Sequence, residues 1–262
     1  HGAGNDFIMV ENVHDQQHFQ SEEVAKLCNR NFGIGADGFI AIEPGRKGGD
    51  IFMNYFNADG SVAEMCGNGA RCSAHFAVKV MGYSGKSLQL ETRAGIKQID
   101  VLDNPENYFR VNMGSPVFHH SDFPANAQSF EGTKFNFASM GNPHAVGFFN
   151  SEEEVDQKIY SLGSLLESDT GNFPNKVNVN FLYKKDDNHF GVKTYERGCG
   201  PTLACGTGAS ASFAVLTDIL SLASKTDTVQ IDVPGGTLYF QYNEAGEILM
   251  SGPSEFVFQG TI

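Results

Sequence analysis

The hexapeptide Met65-Cys66-Gly67-Asn68-Gly69-Ala70 returns in the second half of the chain as Ala204-Cys205-Gly206-Thr207-Gly208-Ala209. A repeat of this kind points to a fold built twice. Each copy sets one thiol ahead of a Gly-x-Gly turn, and small and apolar residues follow, Arg71 to Val80 and Ser210 to Leu220, in the pattern of a helix. Each cysteine is therefore expected at a helix N-terminus. Backbone N–H groups there lack an intrahelical partner and the helix dipole adds positive potential, so a thiolate is favoured and a carboxylate can be held beside it. Two such units facing each other would make an acid/base pair.

At 262 residues the chain exceeds the usual size of one domain, and the repeat divides it into two of similar size. The boundary is placed at Gly114-Ser115-Pro116, giving domains 1–114 and 115–262, with room for the last few residues to return to the first. In the first domain Phe7 to Glu11, Phe39 to Glu43, Ile51 to Phe56, Ser87 to Arg93, Ile96 to Leu102 and Tyr108 to Met113 read as strands. Ser21 to Cys28 reads as a short helix with a serine cap and early acids, and Pro44 to Asp50 as a surface turn. In the second domain strands are expected near Phe135 to Met140, Ala145 to Phe149, Asn178 to Tyr183, Gly191 to Tyr195, Val229 to Val233, Gly236 to Tyr242 and Glu247 to Ser251. Ser151 to Leu166 there has a helical pattern. Strands outnumber helices in each half, which predicts an α/β fold of two similar, pseudo-symmetric domains. Each would be a mainly antiparallel sheet wrapped around a central helix, with the active site in the cleft between them.

Composition removes whole classes of function. The net charge of −13, with no run of Lys and Arg, repels nucleic acid and anionic membranes. No apolar run approaches the roughly 20 residues of a membrane span. Five cysteines, an odd number, without a signal-like apolar segment, point to reduced thiols in a cytoplasm and away from a disulfide scaffold.

Several motifs have simpler readings than their chemistry first suggests. Gly33-Ile34-Gly35-Ala36-Asp37-Gly38 matches the dinucleotide pattern G-x-G-x-x-G, yet it precedes the strand-like Phe39-Ile40-Ala41-Ile42 where that motif should open a helix, so it reads as a turn. The spacings Cys66-x5-Cys72 and Cys199-x5-Cys205 raise a four-thiolate zinc site, but five intervening residues exceed the usual two to four. Cys72, two turns inside its helix, and Cys28 both read as core residues, and no metal is expected. His144 and the pair His119-His120 read as structural or solvated rather than as general bases.

The polar residues ahead of the cysteines are harder to set aside. Asn57-Ala58-Asp59-Gly60-Ser61 precedes Cys66 by one loop, and Tyr195-Glu196-Arg197-Gly198 precedes Cys205 in the same way. An arginine and a carboxylate so placed suit a zwitterionic amino-acid group, Arg197 holding the carboxylate and Glu196 the ammonium.

In these residues the sequence resembles the diaminopimelate epimerases, a family of cofactor-independent amino-acid racemases. The resemblance spans nearly the whole chain. It is carried by His1-Gly2-Ala3-Gly4-Asn5-Asp6-Phe7, Gly33 to Gly38, Asn57 to Ser61, Met65 to Cys72, Gly141-Asn142-Pro143-His144, Val177-Asn178, and Tyr195 to Gly198 through Ala204 to Gly208. It implies that Cys66 and Cys205 are the two catalytic bases and that the reacting carboxylate lies on the N–H groups of Gly67-Asn68 and Gly206-Thr207. It also implies that Asn5, Asn57, Asn142, Asn178, Glu196 and Arg197 hold the rest of the substrate. The family commonly has another residue, often Glu, where Pro201 stands, and Cys199 and Ala145 fall at variable positions.

Such an enzyme needs no cofactor, and no motif for a pyridoxal-binding lysine is present. It acts on a small amino-acid substrate, here LL- and meso-diaminopimelate in lysine and cell-wall precursor synthesis, and the family implies a homodimer. Inverting an α-carbon takes a proton from one face and returns one to the other, so one cysteine must begin as thiolate and the other as thiol. Closure of the two domains over the substrate is expected to expel water. Two other readings stay open. One is a proline or hydroxyproline racemase, although that family typically has His in the position of Asn68. The other is a zinc-binding structural protein.

Overall fold

The computed structural model describes residues 1–14 and 16–261. The chain divides into two compact units, His1–Asn112 with Ser251–Ile262, and Met113–Met250.

In the first unit β1 (Phe7–Glu11) is followed by α1 (Ser21–Cys28), β2 (Gly38–Pro44) and β3 (Ile51–Asn57). Then come α2 (Gly67–Lys79), β4 (Ser87–Thr92), β5 (Gly95–Leu102) and β6 (Tyr108–Gly114). The strands lie in chain order, with β1/β2 and β3/β4 parallel and β2/β3, β4/β5 and β5/β6 antiparallel. α2 is buried without a break from Gly67 to Ala77, which makes it the central helix. α1 covers the other face: Val24 and Cys28 pack with Phe39, Ala41 and Phe56. Phe39 and Ala41 alternate with Ile40, so β2 is covered on both faces and runs apolar throughout.

The cap of α1 is Gln20, not Ser21, because Glu23 reaches back to accept the Gln20 N–H at 3.3 Å. Gly33-Ile34-Gly35 closes the far end of this helix: the amides of Ile34 and Gly35 both bond the Leu27 carbonyl, at 2.9 and 3.0 Å. A Cβ at Gly33 would stand 2.1 Å from the Lys26 carbonyl oxygen, and Gly35 has φ +86°. The glycines therefore serve the turn.

The second unit holds β7 (Gln128–Phe130), β8 (Thr133–Ser139), β9 (Pro143–Phe149), α3 (Glu152–Ser168), β10 (Asn178–Asp186) and β11 (His189–Glu196). β12 (Gly200–Thr202), α4 (Gly206–Ala214), β13 (Val229–Val233) and β14 (Gly236–Tyr242) follow, and β15 (Ile248–Pro253) carries the chain out of the unit. Here β9/β10 and β11/β13 are parallel, and β7/β8, β8/β9, β10/β11, β11/β12 and β13/β14 antiparallel. α4 is the buried central helix. α3 covers the other face through a phenylalanine-rich core that includes Phe135, Phe149 and Phe181.

Sequence repeat and topology coincide. Strand, outer helix, parallel strand, antiparallel strand, central helix and parallel strand occur as β1-α1-β2-β3-α2-β4 and again as β9-α3-β10-β11-α4-β13. The two βαβ crossovers per unit are what insert parallel pairs into an otherwise antiparallel sheet. Sequence periodicity does not reveal the three-residue strands β7 and β12. The helical run expected to Leu220 changes form after Ala214: Val215–Ile219 is π-helical. The Thr217 hydroxyl there bonds the carbonyls of Phe213 and Ala214, competing with the α-helical ladder.

Candidate active site

Cys66 is the N-cap of α2, with extended backbone (φ −141°, ψ 122°), and its Sγ accepts the Gly69 N–H at 3.4 Å. β3 ends one loop earlier and delivers the thiol to the mouth of a helix whose first residues, Gly67 and Asn68, are buried. Asn5 lies beside it in the tight turn that leads into β1, where Gly2 and Asn5 exchange backbone bonds of 3.0 and 3.3 Å. Asn5 Nδ2 donates to Asp37 at 2.9 Å, which turns Oδ1 toward Asn68 Nδ2 (3.2 Å) and Cys66 Sγ (3.5 Å). Arg71, fully buried one turn into α2, donates to Asn68 Oδ1 at 2.9 Å, to the Gly67 carbonyl at 3.4 Å and to the Pro253 carbonyl at 3.3 Å. Asn57, at the end of β3, donates to Ser61 Oγ at 3.0 Å.

In the second unit Cys205 is the N-cap of α4 with the same extended backbone (φ −119°, ψ 104°) and is 7% exposed. Burial, reinforced by the Glu196 carboxylate, pushes its thiol well above the ordinary range, and the Thr207 hydroxyl 3.5 Å from Sγ opposes that shift. Thr207 Oγ1 accepts from Asn142 Nδ2 at 3.4 Å, Asn142 Oδ1 meets His144 Nε2 at 3.0 Å, and His144 Nδ1 meets Asn180 Nδ2 at 3.1 Å. Burial, with the Arg197 charge adding to it, holds the His144 pKa down to about 3, so the ring is neutral at physiological pH. Glu196 Oε1 accepts the Thr202 hydroxyl at 2.5 Å.

The registers equate the clusters residue by residue. Phe7 pairs with Gly38 as His144 pairs with Asn178, so Asn5 corresponds to Asn142, Phe7 to His144 and Ile40 to Asn180. Ile40 pairs with Tyr55 as Asn180 pairs with Thr194, so Asn57 corresponds to Glu196. The repeat itself equates Asn68 with Thr207 and Arg71 with Ser210.

Of the residues expected to hold substrate, Asn5 and Asn68 gather at Cys66, while Asn142, Thr207 and Glu196 gather at Cys205. Gly67 and Gly206 open the two helices. Asn178 is occupied by backbone, donating to the Pro143 carbonyl at 3.1 Å and accepting the Arg197 N–H at 3.0 Å. The exposed Arg197 side chain donates to the Asn175 carbonyl at 2.8 Å. Asn180 and Thr194 are participants the sequence reading does not name, while Arg71 and His144 stand within its motifs without a place at the site. The signal for two of them was a charged or polar residue in an apolar run, Arg71 within a helix of small residues and Asn180 within β10. Among the described residues no three His, Cys, Asp or Glu side chains group as a metal site, and no helix is long and apolar enough to cross a membrane.

Solved structures with this duplicated fold include a PhzF-family phenazine biosynthesis protein of Bacillus anthracis (TM-score 0.70, 18% identity, 96% of this chain and 91% of that one). Another is a probable proline racemase of Agrobacterium radiobacter (TM-score 0.65, 16% identity, 91% and 81%). At such identities the likeness speaks for the fold. Fold and cysteine-capped helices together with the curated relatives define the class: this is an enzyme of the amino-acid racemase and epimerase type. The sequence profile described as diaminopimelate epimerase matches residues 1–119 and 136–257. The diaminopimelate epimerase of Carboxydothermus hydrogenoformans is 39% identical over 99% of this chain and 96% of its own length, and that of Caldanaerobacter subterraneus 39% over 100% and 97%. A chloroplastic diaminopimelate epimerase of Oryza sativa subsp. japonica is 38% identical over 99% and 78%. The chain belongs to the diaminopimelate epimerase family.

Proposed function

We propose that the protein interconverts LL- and meso-diaminopimelate by proton transfer at one α-carbon without a cofactor, in lysine and cell-wall precursor synthesis. Cys66 and Cys205 are the two proton-transfer groups. The observation that carries this reading is that each cysteine is the N-cap of its unit's central helix. The first helical amides have no intrahelical partner and add about half a positive charge at each thiol. An α-proton is weakly acidic, and the carbanion left by its removal spreads charge onto the carboxylate. The amides of Gly67-Asn68 and Gly206-Thr207 are the donors available to that charge. One thiol serves each face of the carbon. Burial and Glu196 disfavour the Cys205 thiolate; in one direction of the reaction Cys205 gives up a proton while Cys66 takes one, and in the other the roles exchange. Asn5, Asn57, Asn142, Asn178, Glu196 and Arg197 fix which end of the substrate reacts. Thiols used in this way need a reducing compartment, which fits a cytoplasmic enzyme; the assembly proposed is a homodimer.

Incubating the protein with LL-diaminopimelate in heavy water, with no added cofactor, tests the proposal. Deuterium should enter the α-position of one centre, and either Cys66→Ala or Cys205→Ala should abolish inversion. Epimerisation at near wild-type rate in either variant would overturn the two-thiol assignment.

A further inference from the structure

Asn180 is wholly buried on β10, beneath the first turn of α4. Its Nδ2 lies 3.2 Å from the Ala145 carbonyl oxygen and 3.1 Å from His144 Nδ1, while its Oδ1 accepts the Thr194 hydroxyl at 3.0 Å. A carbonyl oxygen can only accept, so the amide must turn Nδ2, and not Oδ1, toward Ala145. The second Nδ2 hydrogen has His144 Nδ1 at 3.1 Å and, farther off, the Asn178 carbonyl at 3.5 Å, and the amino group offers no lone pair to a proton on Nδ1. That ring nitrogen is an acceptor and carries no proton. A neutral imidazole with a bare Nδ1 holds its hydrogen on Nε2, and Nε2 faces Asn142 Oδ1 at 3.0 Å, to which it donates. Asn142 is thereby oriented to donate through Nδ2 to Thr207 Oγ1. The Thr207 oxygen accepts that bond and still has its own hydrogen to offer to Cys205 Sγ, 3.5 Å away. Every link from Asn180 to Thr207 has one direction, and the direction is set at Asn180.

We propose that Asn180 is a positioning residue: it fixes His144 as the Nε2–H tautomer and so aims the Thr207 hydroxyl proton at Cys205. The proposal rests on the reading of Cys205 as one of the two proton-transfer groups. A structural need common to both units does not account for Asn180, because the corresponding residue of the first unit is Ile40 and the residue corresponding to His144 is Phe7. The same two positions are filled by hydrocarbon in one unit and by a hydrogen-bonded pair in the other. Space for the amide is kept by Gly208, where a Cβ would lie 2.3 Å from Asn180 Oδ1.

The tautomer can be read without reference to activity. Long-range proton–nitrogen correlation spectra of the full chain labelled with ¹⁵N-histidine, with the His144 signals assigned by their loss in His144→Gln, report which ring nitrogen is protonated. Wild type should show His144 neutral with the hydrogen on Nε2. Asn180→Asp replaces the donor by an acceptor, and should move a proton onto Nδ1. Asn180→Ala should end the exclusive Nε2–H state, with kcat about ten-fold lower and KM little changed. A wild-type spectrum showing the hydrogen on Nδ1, or an unchanged tautomer in both variants, would overturn the inference; the wild-type spectrum decides even if a variant fails to fold. Failure of the parent reading looks different: the tautomers would follow Asn180 as stated while Cys205→Ala still inverted substrate.

Discussion

Asn142 Nδ2 donates to Thr207 Oγ1 at 3.4 Å, in the place where the first unit has Asn68 Nδ2 donating to Asn5 Oδ1 at 3.2 Å. The two bonds join corresponding residues and run in opposite directions. In the first unit the residue on the helix donates to the residue ahead of the strand, and the cysteine meets a carbonyl oxygen, Asn5 Oδ1. In the second the residue ahead of the strand donates to the residue on the helix, and the cysteine meets a hydroxyl. Duplication has kept the topology and reversed the polarity around the thiol, so the two cysteines are chemically unlike before any substrate binds.

Thr207→Val keeps the shape of that side chain and removes the hydroxyl. A hydrogen bond to a charged group contributes about 1.5–3 kcal/mol, so kcat/KM should fall by about ten- to a hundred-fold. Alkylation of Cys205, followed by peptide mapping as pH is raised, should show its thiolate forming at higher pH than in wild type. Thr207→Ser should restore both. Equal rates and equal alkylation profiles in Thr207→Val would remove the hydroxyl from the mechanism.

His144 gives a pH prediction with a definite sign. Its pKa is about 3 in the folded protein, against the ordinary 6.5 once unfolded. Above pH 6.5 neither state binds a proton there, and the contribution is constant. Between about 6.5 and 3 the unfolded chain takes up a proton that the folded protein refuses, so stability falls by about 1.4 kcal/mol per pH unit as the medium is acidified. Urea unfolding of wild type and His144→Gln from pH 7.5 to 4.5 isolates this group, since the other histidines cancel in the difference. The gap between the two curves should change by that slope; parallel curves would show that His144 takes up its proton in the fold as readily as in the unfolded chain.

Much of this arrangement is legible before any coordinates. The repeated Cys-Gly-x-Gly places both N-caps, and the alternation of short β-rich runs places most strands to within a residue or two, because both depend on local chemistry. His144 is where the reading stops short. A lone histidine between a proline and an apolar run carries no local sign of burial, and although its partner Asn142 stands two residues earlier, its partner Asn180 lies across a parallel strand pair whose register only the fold defines. Arg71 stands within the motif Met65 to Cys72, but its anchor at Pro253 lies at the other end of the chain. Asn178 was visible as an asparagine, whereas its occupation by the Pro143 carbonyl and the Arg197 amide was not.

Arg71 ties three oxygens together, and two belong to the first turn of α2. Replacing it by Met leaves Gly67 O, Asn68 Oδ1 and Pro253 O without these donors in a buried place, at about 1–3 kcal/mol each. Arg71→Met should therefore lower unfolding stability by about 3 kcal/mol or more. Arg71→Lys, which keeps a cation but lacks the fork, should recover only part of it. Because Asn68 loses its anchor, KM should also rise in both variants. Urea midpoints and substrate titrations check the two effects separately, and an unchanged midpoint in Arg71→Met would show that the guanidinium bonds are dispensable.

The second glycine of each repeat separates the two units most sharply. Gly69 and Gly208 occupy the same helical position, where alanine in place of glycine ordinarily gains up to about 1 kcal/mol. At Gly69 the new Cβ would come to 3.0 Å from Ile40 Cδ1, the movable end of a flexible side chain, so the clash is relieved by a small rotation and Gly69→Ala should fold with stability within about 1 kcal/mol of wild type. At Gly208 the Cβ would meet Asn180 Oδ1 at 2.3 Å and Cys205 Sγ and Thr194 Oγ1 at 3.2 Å. Asn180 cannot swing aside without giving up its bonds to Thr194, Ala145 and His144. Overpacking and lost hydrogen bonds then add, giving a destabilisation of about 2–4 kcal/mol in Gly208→Ala, with a larger loss of kcat than in Gly69→Ala. Chemical denaturation and initial rates on the two variants, made in parallel, decide it: equal effects would mean that the buried polar chain beneath α4 is no more demanding than the hydrocarbon beneath α2.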